Sequence, residues 1–356
     1  MSAVEQHTER ELVTGPSVWM GEEAQNSDGW VHRFTDDEVA EIDAAYRQAL
    51  DSGASLATVT RAQFPLPTVG DVLARVEDEL ENGWGLFLLR GIPVERYTKD
   101  DLRFIYWGLG LHLGTAVSQS KRGDVLGDVR DLGTGLDGPK FRGYTSAGEL
   151  TYHADAADVT GLFCIQPAKE GGLSRIVSTG AVHNEILRTR PDLLEVLYQP
   201  YYWSFQGNEL PGTPPHYEQP IFTMHDGRFA ARYTRTHIRS ADEMDHLPGM
   251  TDRQREALDL IDEICARPEF QLTMMFQPGD VQFLNNHLML HMRTAFEDHA
   301  EPERRRHLMR LWLAPRNSRE LSPGFAPFYG DTAAGAVRGG HPAHGDEVVF
   351  ETNGPS

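Results

Sequence analysis

The 356-residue sequence predicts a mainly β, α+β fold: a double-stranded β-helix, or jelly-roll, barrel decorated by helices. Two observations predict it. From residue 151 onward short β-like runs recur between Gly/Pro turns, among them VTGLFCIQ, RIVSTG, QPIFTM, FAARYT, FQLTMMF, DVQFLNN and HLMRLWLAP. Helical periodicity is confined to the chain before residue 115 and to two inserts at about 180–197 and 251–266. Many short strands with few helices suit a barrel, in which closure removes exposed sheet edges.

Residues 36–53 carry Val39, Ile42 and Ala45 at helical spacing, with Gly53 as a C-cap. A second helix spans about 69–82, with Val72, Leu73, Val76 and Leu80 as its apolar stripe. WGLFLLRGIPV at 84–94 reads as a buried strand, and helical spacing resumes over 99–114. Residues 115–150, rich in Gly, Asp and Ser, read as a long loop with short strands, and such loops often border a site. The organisation expected is helical decoration over 1–83, the barrel over 84–330, and a loosely ordered Gly/Pro-rich tail over 331–356.

With 40% hydrophobic and 24% charged residues, the composition is that of a globular protein, and no run of about 18 apolar residues could span a membrane. The N-terminus has neither a basic nor an apolar leader region, so the cytoplasm is expected. Cys164 and Cys265 sit in apolar settings and are expected to be buried, inert thiols. A net charge of −20 excludes a nucleic-acid backbone as partner, because phosphate binding needs a basic face. The basic stretch Arg304–Arg310 is too short for one. A small-molecule substrate is expected, and a homo-oligomer is left open.

Three elements carry chemistry. In LTYHADA, His153 and Asp155 stand two apart, so a strand would direct both to one metal. A second His-x-Asp, His344 and Asp346, lies in the Gly/Pro tail with no strand pattern and reads as a chance copy. His291, in GDVQFLNNHLMLH, supplies the third ligand of a two-His, one-carboxylate facial triad, which leaves three metal positions open. The alternative for His291 is a satisfied core histidine. In RHLMRLWLAP, alternation puts Arg306, Leu308, Arg310 and Trp312 on one face, so a guanidinium at Arg310 calls for a paired anion, a bidentate carboxylate or a structural salt bridge.

With these motifs in this order, the chain resembles the taurine dioxygenase and clavaminate synthase-like family of Fe(II)/2-oxoglutarate-dependent oxygenases. The resemblance covers roughly 84–318, including WGLFLLRGIPV, LHLGTAVSQSKRGDVLGDVRDLG, YHADAA, PAKEGGLSRIVSTGAVHNEIL and RRRHLMRLWLAP. It implies Fe(II), 2-oxoglutarate and O2 as cofactors, with oxidative decarboxylation to succinate and CO2 coupled to hydroxylation or desaturation of an unactivated C–H bond. By position it implies His153, Asp155 and His291 as iron ligands and Arg310 as the arginine for the far carboxylate of 2-oxoglutarate. Arg306 then resembles a second arginine near the co-substrate. Ser174, in Gly171-Gly172-Leu173-Ser174, stands where the taurine enzyme has a threonine after an acidic residue absent here. Halogenases of the superfamily lack the carboxylate ligand, so Asp155 argues against chlorination.

For the substrate, family analogy implies a small amino-acid-derived or secondary metabolite. The aromatic, turn-rich 201–220 segment with Tyr202 reads either as a lid or as core packing. In FAARYTRTHIR, Arg232, Tyr233 and Arg235 read either as substrate contacts or as surface charge. Two rival classes share the ligand set: a jelly-roll metal-dependent hydrolase or isomerase, and a non-catalytic binding module. The first gives no reason for a buried Arg310, and the presence of all three triad members weighs against the second.

Overall fold

Three helices are fixed at their starts by reciprocal capping. The Thr35 hydroxyl accepts the Glu38 N–H while the Glu38 carboxylate accepts the Thr35 N–H, and Thr98 with Asp101 and Thr251 with Gln254 repeat the arrangement. Each such cap is worth about 1 kcal/mol. The helix at 69 has no side-chain cap of its own. Its first N–H groups, those of Thr68 and Val69, donate instead to Glu41 of the preceding helix, which ties the two together.

The computed structural model describes residues 10–131 and 146–351. Part of the expected long loop, 132–145, lies outside the described residues. The chain begins α1 (Gly21–Gln25), β1 (Val31–Arg33), α2 (Asp36–Asp51), α3 (Val69–Asn82), β2 (Leu86–Arg90), α4 (Lys99–Leu113), β3 (Thr115–Ala116) and β4 (Leu126–Val129). It continues β5 (Leu150–His153), β6 (Val159–Gln166), β7 (Glu170–Gly171), β8 (Ser174–Ser178), α5 (Thr179–Thr189), α6 (Pro191–Leu197), β9 (Pro200–Ser204) and β10 (His216–Pro220). Then come β11 (Phe222–His225), β12 (Arg228–Ala231), α7 (Arg235–Asp242), α8 (Asp252–Ala266), β13 (Leu272–Met274), β14 (Val281–Asn285), β15 (Met289–Arg293), β16 (Phe296–Glu297), β17 (His307–Ala314) and α9 (Ala326–Tyr329).

Two sheets dominate. The larger runs β1-β2-β14-β6-β17-β3, with β4 also paired to β17, and the smaller runs β13-β8-β15-β5. Side-chain alternation assigns each face of the larger sheet to a different core. Phe87, Phe163, Phe283, Met309 and Leu311 pack outward with Leu73, Val76 and Leu109 of α3 and α4. Leu86, Cys164, Leu284 and Leu308 face inward and share a cluster with Ile176, Leu272 and Met289 of the smaller sheet. The smaller sheet's other face, through Val177, Leu290 and Met292, packs with Ile186, Leu194 and Ile261 of α5, α6 and α8. The layers are therefore helices, sheet, sheet, helices.

At the turn into β14, Gly279 has φ +87°, and a Cβ there would lie 2.0 Å from the Ile92 carbonyl oxygen. Only glycine fits that approach. The neighbouring Asp280, fully buried, accepts two hydrogen bonds of 2.7 Å from the Arg90 guanidinium and so clamps the turn to β2.

The structure departs from sequence expectation at several points. The 180–197 insert is two helices, because Pro191 offers no N–H and forces Arg190 out of helical geometry. The strand-like run at 229–239 ends at Ala231, and Arg235 opens α7. The described part of the tail is tied down, not loose: Arg338 is buried and donates to Asp158 and to the carbonyls of Arg319, Thr332 and Ala333. Among the described residues the pairings form separate sheets, and no strand pair closes a barrel, so the fold established is a two-sheet α+β architecture.

Candidate metal centre and its surroundings

β5 ends at His153, and β15 places His291 directly opposite it in register. The two imidazoles stand 4.4 Å apart between ring centres. Asp155 follows two residues on, with its carboxylate oxygens 3.9 Å from His153 Nε2 and 4.0 Å from His291 Nε2. One donor atom from each of the three lies within 4.8 Å of the others. His153 Nδ1 is 2.8 Å from the Thr151 carbonyl oxygen, which can only accept, so Nδ1 carries the proton and Nε2 presents its lone pair.

Asp155 is held on all sides. Its backbone N–H donates to the Asn286 side-chain oxygen at 3.0 Å, and the Thr160 hydroxyl donates to its carboxylate at 2.7 Å. Burial opposes its charge, but Arg310, His291, His153 and the Thr160 hydroxyl together hold its pKa well below the usual carboxylate range. Burial, reinforced by His153, drops His291 to about 3. Near neutral pH the set is thus one carboxylate and a neutral imidazole at His291, the protonation a divalent metal requires. An N, N, O donor set of this kind, with Asp155 and His291 buried and His153 partly exposed, suits Fe(II).

Arg310 borders the triad. Its Nη1 lies 3.4 Å from Asp155, its Nε donates to the Gln119 side chain at 2.8 Å, and the Gln119 amide donates back to the Arg310 carbonyl. Trp312, on the same face, has its ring centre 4.8 Å from the Arg310 guanidinium carbon.

A second cationic group forms further along the smaller sheet. Ser174 pairs with Arg293, two residues beyond His291 and therefore on the same face. Arg306 joins them across the Phe296 ring, the two guanidinium carbons lying 4.7 and 5.1 Å from its centre. Burial lowers Arg306 to about 10 and, with the Arg306 charge beside it, Arg293 to about 9. Arg293 Nε and Nη1 and Arg306 Nη1 are buried with no partner among the described residues. Arg306 immediately precedes β17, whose pairing with β6 shifts register between His307 and Leu308.

The remaining candidates separate. Tyr233 donates its hydroxyl to Asp262, and Arg235 pairs with Asp259 and Asp262, so both serve the packing of α8 and neither meets the triad. Tyr202 is half-buried against His216 in the β9/β10 hairpin. Arg232 is fully enclosed, with its guanidinium carbon 3.6 Å from the Phe328 ring centre. His344 donates to, or is held against, the Glu209 carbonyl and forms no metal cluster among the described residues. Asn286, Thr160, Gln119 and Arg293 were missed from sequence. For Arg293 the signal existed, since it repeats the His-x-Asp spacing from His291.

Comparison with known proteins agrees with this geometry. The family model described as "Taurine catabolism dioxygenase TauD, TfdA family" matches residues 50–312. FR-33289 synthase of Streptomyces rubellomurinus (strain ATCC 31215) is 33% identical over 312 residues, 87% of this chain and 92% of its own. A taurine hydroxylase-like protein of Stachybotrys chartarum is 28% identical, over 83% of this chain and 77% of its own. Among solved structures, an asparagine oxygenase in complex with Fe(II), 2S,3S-3-hydroxyasparagine and succinate superposes with a TM-score of 0.61 at 16% identity, over 80% of this chain and 93% of its own. A match across most of the chain sets aside the hydrolase and binding-module readings: the protein belongs to the TauD, TfdA family and is an iron- and 2-oxoglutarate-dependent oxygenase.

Proposed function

We propose that the protein hydroxylates or desaturates an unactivated C–H bond of a small amino-acid-derived or secondary metabolite, with His153, Asp155 and His291 holding Fe(II). The observation that carries this is the convergence of the three donor atoms within 4.8 Å, with Asp155 held as a carboxylate and His291 neutral. Bound iron would activate O2, with 2-oxoglutarate supplying two of the four electrons needed, while the protein's residues position the reactants and exclude water. Support for a small metabolite comes from the relatives, whose names include a taurine hydroxylase-like protein and an asparagine oxygenase.

The contacts favour an exchange of the roles first expected for the two arginines. Arg310, touching Asp155, adjoins the metal and suits the chelating end of the co-substrate. The far carboxylate then falls to Arg306, Arg293 and Ser174. Two residues of strand separate His291 from Arg293, about 6.7 Å, a step suited to a five-carbon diacid. The unpartnered N–H groups there supply the bidentate contacts a carboxylate takes.

The two sheets read as the halves of a jelly-roll, because successive strands alternate between them: β5 in the smaller, β6 in the larger, β8 and β13 in the smaller, β14 in the larger, β15 in the smaller, β17 in the larger. We take 84–330 as the catalytic barrel, 1–83 as its helical decoration and 331–356 as a tail over its surface. Two buried free thiols accord with a cytoplasmic setting.

The test is an anaerobic titration with Fe(II) and then 2-oxoglutarate, following the weak visible charge-transfer band of the chelated keto acid, beside a His153→Ala control. A band in the native protein and none in the control is the expected result. Bound iron without a band would overturn the reading.

A further inference from the structure

Of the six buried arginines among the described residues, three pair with a carboxylate. Arg319 pairs with Glu81, Arg338 with Asp158 and Arg103 with Asp128. Arg293 and Arg306 keep buried N–H groups without a hydrogen-bond partner among the described residues, and they stand where the co-substrate is proposed to lie. Arg232 is the remaining exception: it is 1% exposed, no carboxylate of the described residues pairs with it, and its Nε and Nη1 are buried without a hydrogen-bond partner.

Its surroundings are aromatic. Phe328 lies 3.6 Å from the guanidinium carbon, with Trp203 at 5.2, Tyr217 at 5.5 and Tyr329 at 5.6 Å. Ring faces attract a cation, but they accept none of the in-plane N–H bonds of a guanidinium. The Tyr217 hydroxyl interacts with the guanidinium, yet Nε and Nη1 keep no partner among the described residues, and a planar fork of that kind suits an anion.

The position adjoins the reaction centre. The next residues, Tyr233 and Thr234, bond along the metal-ligand segment: Ala154 N–H donates to the Tyr233 carbonyl at 2.8 Å, the Thr234 hydroxyl donates to the Ala154 carbonyl at 2.9 Å, and Thr234 bridges His153. Phe328, half-buried, also packs against the cluster of Ala156, Ala157 and Trp312, which flank Asp155 and Arg310. Phe328 thus separates Arg232 from the triad's surroundings by one ring, on a helix of only four residues.

We propose that Arg232 anchors an anionic group of the primary substrate, a carboxylate, sulfonate or phosphonate, and that the Phe328 ring yields to admit it. This rests on the oxygenase reading only for the word substrate; the anion site itself stands on Arg232 and its surroundings. Anchoring the charge there fixes the substrate's orientation beside the metal while its C–H bonds remain free to react.

The test uses the full chain loaded anaerobically with Fe(II) and saturating 2-oxoglutarate, titrated calorimetrically with propane-1-phosphonate, propane-1-sulfonate, butyrate and neutral butyramide. At least one anion is expected to bind saturably and butyramide not to bind, with affinity falling about tenfold or more in Arg232→Gln and less in Arg232→Lys. Absence of anion binding, an unchanged affinity in Arg232→Gln, or displacement of the anion by added 2-oxoglutarate would each overturn the proposal. If Arg232→Gln does not fold, hydrogen exchange on the native protein decides: slowed exchange over 228–234 and 323–330 on anion binding supports the site, and protection confined elsewhere refutes it. The charge-transfer band in the same samples separates the two readings, since anion binding without the band removes the iron assignment and leaves Arg232 standing.

Discussion

Asn286 grips Asp155 from behind: its side-chain oxygen accepts the Asp155 N–H at 3.0 Å while its amide donates to the Ala157 carbonyl at 2.9 Å. The carboxylate lies past the end of β5, where no strand ladder fixes it, so this bracket substitutes for the ladder. Asn286→Ala is expected to weaken Fe(II) affinity about 10- to 100-fold while leaving the fold intact. Unchanged metal affinity in a calorimetric titration would show the bracket to be dispensable.

The two arginines of β17 are expected to separate by ligand. Arg306→Leu should weaken 2-oxoglutarate binding by about 2 kcal/mol or more, roughly 30-fold, with Fe(II) binding preserved. Arg310→Leu removes the charge facing Asp155 and should alter both. Equilibrium titrations of each ligand against each variant check the pattern, and an Arg306→Leu protein with native co-substrate affinity would contradict it.

Acid stability should report on His183. Burial lowers its pKa from 6.5 to about 4, and its ring is packed among Tyr198, Phe222 and Phe229. The unfolded chain therefore takes up the proton first as pH falls. The stability this group contributes is complete above about pH 6.5 and is lost on descent toward about pH 4. Urea midpoints across that window should fall less steeply in His183→Phe than in the native protein.

Arg338 joins the segment after α9 to the core by donating to Asp158, which also contacts His287 at 2.7 Å. Arg338→Ala leaves a buried carboxylate without its cation and is expected to destabilise the fold by about 3–5 kcal/mol. Thermal and urea unfolding measure this directly; a shift below about 1 kcal/mol would mean that water replaces the guanidinium.

The candidate triad was legible because His153-Ala154-Asp155 is noticed without a partner, although Asp155 lies past the end of β5 and strand alternation is not what orients it. What sequence could not show is which groups hold those ligands. Asn286, Thr160 and Gln119 act through hydrogen bonds from uncharged residues that no spacing pattern marks. Arg306 was visible as a cation near the co-substrate, but its neighbours, Arg293 and the Phe296 ring, come from strands that no local pattern brings to it. The Gly/Pro-rich composition after 331 suggested slack chain, whereas Arg338 and backbone hydrogen bonds from Gly340, His341 and Val349 tie its described part to the core. Helix boundaries were readable to within a few residues where Thr caps or Pro191 marked them.

β17 is sandwiched between β6 on one side and β3 and β4 on the other, although those strands precede it by well over a hundred residues. During synthesis, then, β3, β4 and the free edge of β6 emerge from the ribosome long before the strand that joins them. For that interval the growing chain exposes unpaired backbone and the apolar residues that will become its central cluster, the condition under which edges pair with the wrong neighbour. The protein's dependence on chaperones should accordingly be greatest for nascent chains stalled between β14 and β17, and should vanish once residue 314 is released.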